Sequence, residues 1–298
     1  MSTLVFFANT SVLAIEGRFI RNQITVNKIC RTELAEGSLI NGVILNEAAA
    51  AAALKEFWKS NRLNRKRVQL VIDSTQFQIK NVTLPKIKEK QLLALVQNEF
   101  TGLDRYQDPM FDYMFLQFNE KNPKMVDLLA CVCEGSFIKS YVELFESIEI
   151  QVSSINTALG SLLKLIELLP LFRERTCVLM VFSGENLFNV LIQNGAYKYS
   201  SRIRLFAERG TAEFATAITQ ALSSIQQFQI SNESSFSITD VYFCGCAQAD
   251  VDICQEGLHS LQLTGQLLPE SELVSFPAEE LSWQLSDYDY LLGDLIRR

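Results

Sequence analysis

Apolar and polar positions along the chain repeat one order of elements twice. An apolar run at 4–8 is followed by a turn at Asn9-Thr10 and an alternating segment at 11–16. Alternation sends successive side chains to opposite faces, so both segments read as strands. Gly17-Arg18 is expected to turn the chain into a third strand over about 19–32. Asn46 then suits an N-cap, with Glu47 in the first helical turn, where the dipole favours a carboxylate. The helix is expected to run through six alanines, 48–53, to about Ser60. Alanine is the best helix former, so this stretch reads as a packed helix rather than low complexity. A strand at 68–73 follows.

The second copy begins at Cys177. A strand at 177–182 turns through Ser183-Gly184-Glu185-Asn186 into a strand at 187–193. Asn194-Gly195 is a strong hairpin signal, and a third strand follows from 196 to about 205. Thr211 is expected to cap a helix to about 227, before a strand at 238–244 and a helix after Asp250. Each copy reads βββαβα. Two such units describe an α/β (α+β) chain with the duplicated actin-like/ribonuclease H-like fold.

Between the copies lies a block with its own rhythm. It reads as a strand at 77–84 ended by Pro85, an amphipathic helix at 88–100, strands at 111–118 and 126–132, and a helix at 136–147. This is expected to be a small α+β subdomain inserted in the first half. The chain returns through Asn156-Thr157 and a helix at 158–169 stopped by Pro170. The expected domains are 1–76 plus 150–172, the insert at 77–149, and 173–298.

Composition narrows the function. The 298 residues are 48% apolar and carry 27 Lys plus Arg against 34 Asp plus Glu, a net charge of −7. That balance argues against nucleic acid as a partner, because phosphate binding draws on clustered positive charge. Seven cysteines without framework spacing fit reduced thiols in a cytoplasmic protein. The opening Met1-Ser2-Thr3-Leu4-Val5-Phe6-Phe7 lacks the basic start of a signal peptide, and no apolar run reaches the ~20 residues that span a bilayer. A single His leaves little for His-based metal or triad chemistry.

Val82-Thr83-Leu84-Pro85 through Val96-Gln97-Asn98-Glu99-Phe100 resembles the inserted subdomain of the PilM family, actin-like cytoplasmic proteins of type IV pilus assembly related to FtsA. Asp112-Tyr113, Asp127-Leu128-Leu129-Ala130-Cys131 and Tyr141-Val142-Glu143-Leu144-Phe145 follow in the family's order. The closing 289–295 is similar to its terminal helix. The resemblance covers essentially the whole chain.

It also implies where a nucleotide would sit. Actin-fold ATPases carry an Asp-Ile-Gly type turn in each half, Gly for close backbone approach and Asp to organise Mg²⁺. The first-half stretch, Val5-Phe6-Phe7-Ala8-Asn9-Thr10-Ser11, has neither. The second, Met180-Val181-Phe182-Ser183-Gly184-Glu185-Asn186, keeps one Gly and loses the Asp. The adenosine-side turn, usually Gly-Gly, reads Cys244-Gly245-Cys246. No extra lobe fits between the strands and the Thr211 helix. Asn9, Ser183, Gly184 and Gly245 are therefore expected to mark vestigial phosphate and adenosine turns, with no cofactor bound.

Other residues have plainer readings. Cys131-Val132-Cys133 and Cys244-Gly245-Cys246 have spacing that on a strand puts two thiols on one face, yet further metal ligands are wanting, so core packing is expected. His259 reads as a surface residue at a helix end. Arg62, Arg65, Lys66 and Arg67 suit a helix C-terminus by charge, the alternative being contact with anionic lipid or an acidic tail. Glu279-Glu280 and Asp287/Asp289 read as solvated charges. The stripe Phe111, Tyr113, Phe115, with Met114, Leu116 and Phe118, is apolar on both faces. It is expected to be covered by the chain's own helices, or else to meet a docked peptide.

The expected function is a non-catalytic scaffold at the inner face of the cell membrane, in a type IV pilus, secretion or competence machine. The resemblance implies a partner, the N-terminal cytoplasmic tail of a PilN-like bitopic membrane protein, with self-association as a second contact. The membrane would be reached only through that partner, and the groove residues are not identified. One alternative is an actin-fold ATPase, weakly active, whose Mg²⁺-ATP state switches partner binding. The other is the cytoplasmic domain of a GspL-like fused membrane protein, with Arg297-Arg298 as juxtamembrane charge.

Overall fold

Leu4 and Val5 are fully buried in β1 (Ser2–Phe7), a strand apolar on both faces because it is central in its sheet. It pairs antiparallel with β2 (Ser11–Ile20). The structure, a computed structural model, describes residues 2–8, 10–100, 102, 106–231, 236–277 and 284–296. The chain divides into two units, Met1–Gly17 with Lys28–Ser161, and Arg18–Asn27 with Leu162–Arg298.

The β2 strand does not turn at Gly17-Arg18, as its sequence suggests. It runs on to Ile20, and the chain reverses at Arg21-Asn22 before β3 (Gln23–Glu33). Both turn residues are left-handed, with φ of 54° and 60°. That is the backbone of a two-residue type I′ turn, which Asn tolerates but Arg does not advertise. A short hairpin, β4 (Leu39–Ile40) and β5 (Val43–Ile44), reverses at Asn41-Gly42. Helix α1 (Glu47–Asn61) follows, with the Asn46 side chain accepting from Ala49 N at 3.1 Å. Its far end leads into β6 (Val68–Ile72), parallel to β1.

Next come β7 (Gln78–Pro85), α2 (Glu89–Asn98), β8 (Pro109–Phe118) and β9 (Met125–Glu134). They form a three-stranded sheet in the order β7-β9-β8 with its own core, which includes Leu84, Leu92, Val96, Leu128 and Val132. Helix α3 (Gly135–Ser147) does not belong to that core, although the sequence suggests it closes the insert. Its Phe137, Tyr141, Leu144 and Phe145 pack with Phe7, Leu54, Trp58 and Leu70 of the main sheet's core. Glu134 passes to Gly135 with no linker, so composition gives no sign of the change of core.

After α3 the chain forms β10 (Val152–Thr157), parallel to β6, and then α4 (Ala158–Leu168) and a 3-10 turn at Pro170–Phe172. The sheet order is β10-β6-β1-β2-β3-β16, with the last pairing made by Ile24 and Thr25 of the hairpin tip and β16 (Val274–Ser275).

The second copy repeats the pattern. It comprises β11 (Cys177–Ser183), β12 (Asn186–Gln193), β13 (Ala196–Arg204), α5 (Ala212–Ser231), β14 (Asp240–Cys244), α6 (Gln248–Ser260) and β15 (Thr264–Leu267). Strand order is β13-β12-β11-β14-β15, and β14 is parallel to both β11 and β15. Phe214, Ile218, Leu222 and Phe243 centre the core beneath α5 and α6. Thr211 caps α5, its Oγ1 accepting from Phe214 N at 3.2 Å. Helix α6 starts earlier than expected, because the Asp250 carboxylate accepts from Ala247 N at 3.0 Å and so sits inside the first turn.

Each copy therefore carries a fifth strand that βββαβα omits, β10 in the first and β15 in the second. Both are short, half-exposed sheet edges with few apolar residues, so alternation barely marks them. The chain ends in a 3-10 turn at Leu285–Asp287, α7 (Asp289–Leu292) and a 3-10 turn at Gly293–Leu295. No helix among the described residues is long and apolar enough to cross a membrane.

Phe145 makes edge contacts to Phe7 and Trp58 at 5.9 and 5.6 Å between ring centroids. We predict that Phe145→Ala costs about 3–5 kcal/mol of local stability. In hydrogen exchange, β1 and β6 should lose protection while β7, β8 and β9 keep theirs. The opposite pattern would return α3 to the small sheet.

Candidate functional site

The turns that the resemblance leads us to expect as remnants of a nucleotide site lie at the β1–β2 and β11–β12 reversals and just after β14. In the first, Ala8 N donates to Ser11 O at 2.9 Å, and Thr10 O accepts from Leu34 N at 2.8 Å. Asn9 lies outside the described residues. In the second, Gly184 has φ of 59° and open space where a side chain would start. Glu185 supplies the only carboxylate, and Arg204 of β13 already holds it, with Nη2 at 2.5 Å from Oε2. Glu185 O also accepts from Leu205 N at 2.7 Å. Ser183 pairs with Asn186 across the turn.

The third turn is closed by the chain itself. Gly245 has φ of 69°, and a Cβ there would stand 2.3 Å from Phe182 O. Only glycine satisfies both demands. Its N–H donates to Ser286 O at 2.8 Å, and its carbonyl accepts from Arg209 Nη1 at 2.9 Å. The Arg209 guanidinium carbon lies 5.1 Å from the centroid of the Phe182 ring, and its Nη1 lies 3.9 Å from Asp250 Oδ2. Both backbone groups of the turn are thus committed to the protein. A ligand seeking either must first break a hydrogen bond, which leaves a polar group to re-satisfy.

Ser286 belongs to the terminal segment, which is anchored at several points. Leu285 N donates to Glu270 Oε1 at 2.9 Å. Leu285, Leu291, Leu292 and Leu295 are buried. Asp294 forms an ion pair with Lys164 at 2.8 Å, its side chain 1% exposed.

Asp289 overturns its reading as a solvated charge. It is 4% exposed, and its Oδ2 has no hydrogen-bond partner among the described residues. Burial pushes its carboxyl up to about 7, while a hydrogen bond with the Cys244 thiol acts the other way. Burial also pushes the Cys244 thiol far up, with Asp289 adding to the effect. Asp287 is raised by burial and by Glu270. Glu279-Glu280 and Arg297-Arg298 lie outside the described residues.

The remaining expected residues are placed as follows. Burial raises Cys131 and Cys133 to about 12 and about 11, so both are thiols. No group of His, Cys, Asp or Glu suited to a metal ion occurs among the described residues. His259 is exposed in the last turn of α6. Arg62, Arg65, Lys66 and Arg67 are exposed between α1 and β6. The aromatic stripe is not covered on both faces. β8 is an edge strand, and Met110, Phe115 and Phe118 are 48%, 39% and 53% exposed. Sequence reasoning missed Arg209 and Ser286. Neither lies in a recognisable motif, and only the folded chain brings them to Gly245.

No protein-family model matches the sequence, and neither does any curated protein. Solved structures do resemble this chain. A chain of the PilM-PilN type IV pilus biogenesis complex is 13% identical with a TM-score of 0.78, covering 99% of this chain and 97% of that one. A Bacteroides thetaiotaomicron protein with actin-like ATPase fold and unknown function is 10% identical with a TM-score of 0.56, covering 100% and 96%. The ethanolamine utilization protein EutJ from Carboxydothermus hydrogenoformans is 8% identical with a TM-score of 0.51, covering 99% and 88%. The chain has the duplicated actin-like fold.

The Asp289 carboxyl gives a signed prediction. Its folded value of about 7 exceeds the ~4 of an unfolded Asp, so the folded state holds the extra proton between them. Its contribution to stability falls as pH rises from about 4 and levels off above about 7. Asp287, raised in the same sense, keeps its own slope. Thermal melts of wild type and Asp289→Asn should coincide near pH 4 and separate towards pH 7, with the variant more stable there. Curves that stay parallel would contradict this.

Proposed function

We propose that this chain is a non-catalytic, actin-like scaffold acting at the cytoplasmic face of a membrane, in a type IV pilus or related secretion or competence machine. Its partner would be the N-terminal cytoplasmic tail of a PilN-like membrane protein. The observation that carries the non-catalytic part is the Gly245 turn, whose N–H and C=O are held by Ser286 and Arg209. Asn9, Ser183, Gly184 and Gly245 are then remnants of phosphate and adenosine turns. Supporting the assembly part is whole-length similarity to a chain of the PilM-PilN complex.

An actin-like frame that no longer senses nucleotide can still present a peptide edge. The exposed backbone of β8 is suited to accept an added strand, and Phe115 and Phe118 lie along it. The net charge of −7 favours a basic tail, chiefly by steering its approach.

The test is calorimetric titration with a synthetic peptide of the PilN-like protein's N-terminal tail from the same organism, and separately with Mg²⁺-ATP. We expect saturable peptide binding, unchanged by millimolar Mg²⁺-ATP, with no heat from Mg²⁺-ATP alone. Phe115→Ser with Phe118→Ser should weaken the peptide at least tenfold. Heat from Mg²⁺-ATP, or a peptide affinity that changes with it, would replace the scaffold by a nucleotide switch. Absence of peptide binding would remove the proposed partner.

A further inference from the structure

The last turns of α1 and the loop that follows into β6 concentrate positive charge on an acidic chain. Residues 55–67 hold six Lys or Arg and one Glu, whereas the whole chain has a net charge of −7. All six, Lys55, Lys59, Arg62, Arg65, Lys66 and Arg67, are exposed. The loop leads into the start of β6, whose other end, Ile72, pairs with Phe7 beside the β1–β2 turn. The charge therefore sits at the end of the sheet away from that turn.

One of the six, Arg65, serves the fold, as does Lys28 of β3. Arg65 Nη1 donates to Ile148 O at the end of α3 at 2.9 Å, and Lys28 Nζ donates to Asn61 O at the end of α1 at 2.7 Å. Cations at helix C-termini are stabilised by the dipole. Among the described residues, Lys55, Lys59, Arg62, Lys66 and Arg67 form no ion pair, although Glu56, Glu146 and Glu149 are near in the chain or at the end of α3. Arg62 and Arg67 are also left-handed, with φ of 50° and 56°. Glycine or asparagine occupies that conformation at lower cost, so the fold does not call for Arg at either position.

The surface also lacks what a protein partner would grip. No large hydrophobic side chain is exposed between Leu45 and Ile87, and Leu63, within the loop, is buried. Protein interfaces centre on apolar and aromatic contacts, and none is offered here. Long cationic side chains without an apolar anchor suit a fluid array of negative headgroups.

We propose that the α1–β6 loop is an electrostatic docking face for anionic phospholipid, which would orient the protein on a membrane independently of any protein partner. The test is co-sedimentation of the purified full chain with phosphatidylcholine vesicles, with and without phosphatidylglycerol. Arg62→Gly with Arg67→Gly suits both backbones and should melt no lower than wild type. We expect wild type to sediment only with the anionic vesicles and to be released by salt. The double variant should bind roughly 25-fold more weakly, about fivefold per cation removed. Arg62→Lys with Arg67→Lys should retain binding. Equal binding by wild type and the glycine variant would overturn the proposal. So would wild type that ignores anionic vesicles, and binding of polyglutamate in that case would assign the loop to an acidic protein segment.

Discussion

The hydrogen bond from Gly245 N–H to Ser286 O decides what the second copy can do. It exists because Gly245 alone tolerates both a left-handed backbone and the approach of Phe182 O. From there the constraint spreads. Ser286 ties in the terminal segment, Asp289 follows it into the interior beside Cys244, and Arg209 closes the carbonyl side while lying against Phe182. A buried carboxyl with an oxygen that lacks a partner among the described residues is expensive, and the burial of Leu285, Leu291, Leu292 and Leu295 in the same segment offsets that cost.

The two copies share strand order and directions but have come to differ in what loads their ends. In the first, a three-stranded sheet with its own core interrupts the path between β6 and α3, and that helix returns to cover the main sheet through Phe137, Tyr141 and Phe145. In the second, only the short segment from Leu205 to Thr211 separates β13 from α5, leaving no lobe to close over a base. Within the insert, the edge strand β8 leaves Met110, Phe115 and Phe118 exposed, which is the feature the proposed docking of a peptide draws on.

Much of this architecture was legible in the sequence. Asn194-Gly195, the Asn46 and Thr211 caps and the apolar runs of β1 and β11 each carry their own local physics, and the structure follows them. What could not be read depends on tertiary context. Arg21-Asn22 reverses the chain without turn chemistry on its first residue. β10 and β15 form because a neighbouring strand offers hydrogen bonds, not because their side chains alternate. Asp289 looked solvated because nothing local signals that Cys244, far away in the chain, will sit beside it.

The Gly245 turn, which we propose is the remnant of an adenosine turn, has both its backbone groups held by the chain itself. The most direct test of this central claim is amide hydrogen exchange at Gly245, followed by NMR with and without millimolar Mg²⁺-ATP. The account predicts a strongly protected amide whose exchange and chemical shift do not respond to the nucleotide. A rapidly exchanging Gly245 amide, or one that shifts and gains protection when Mg²⁺-ATP is added, would contradict it.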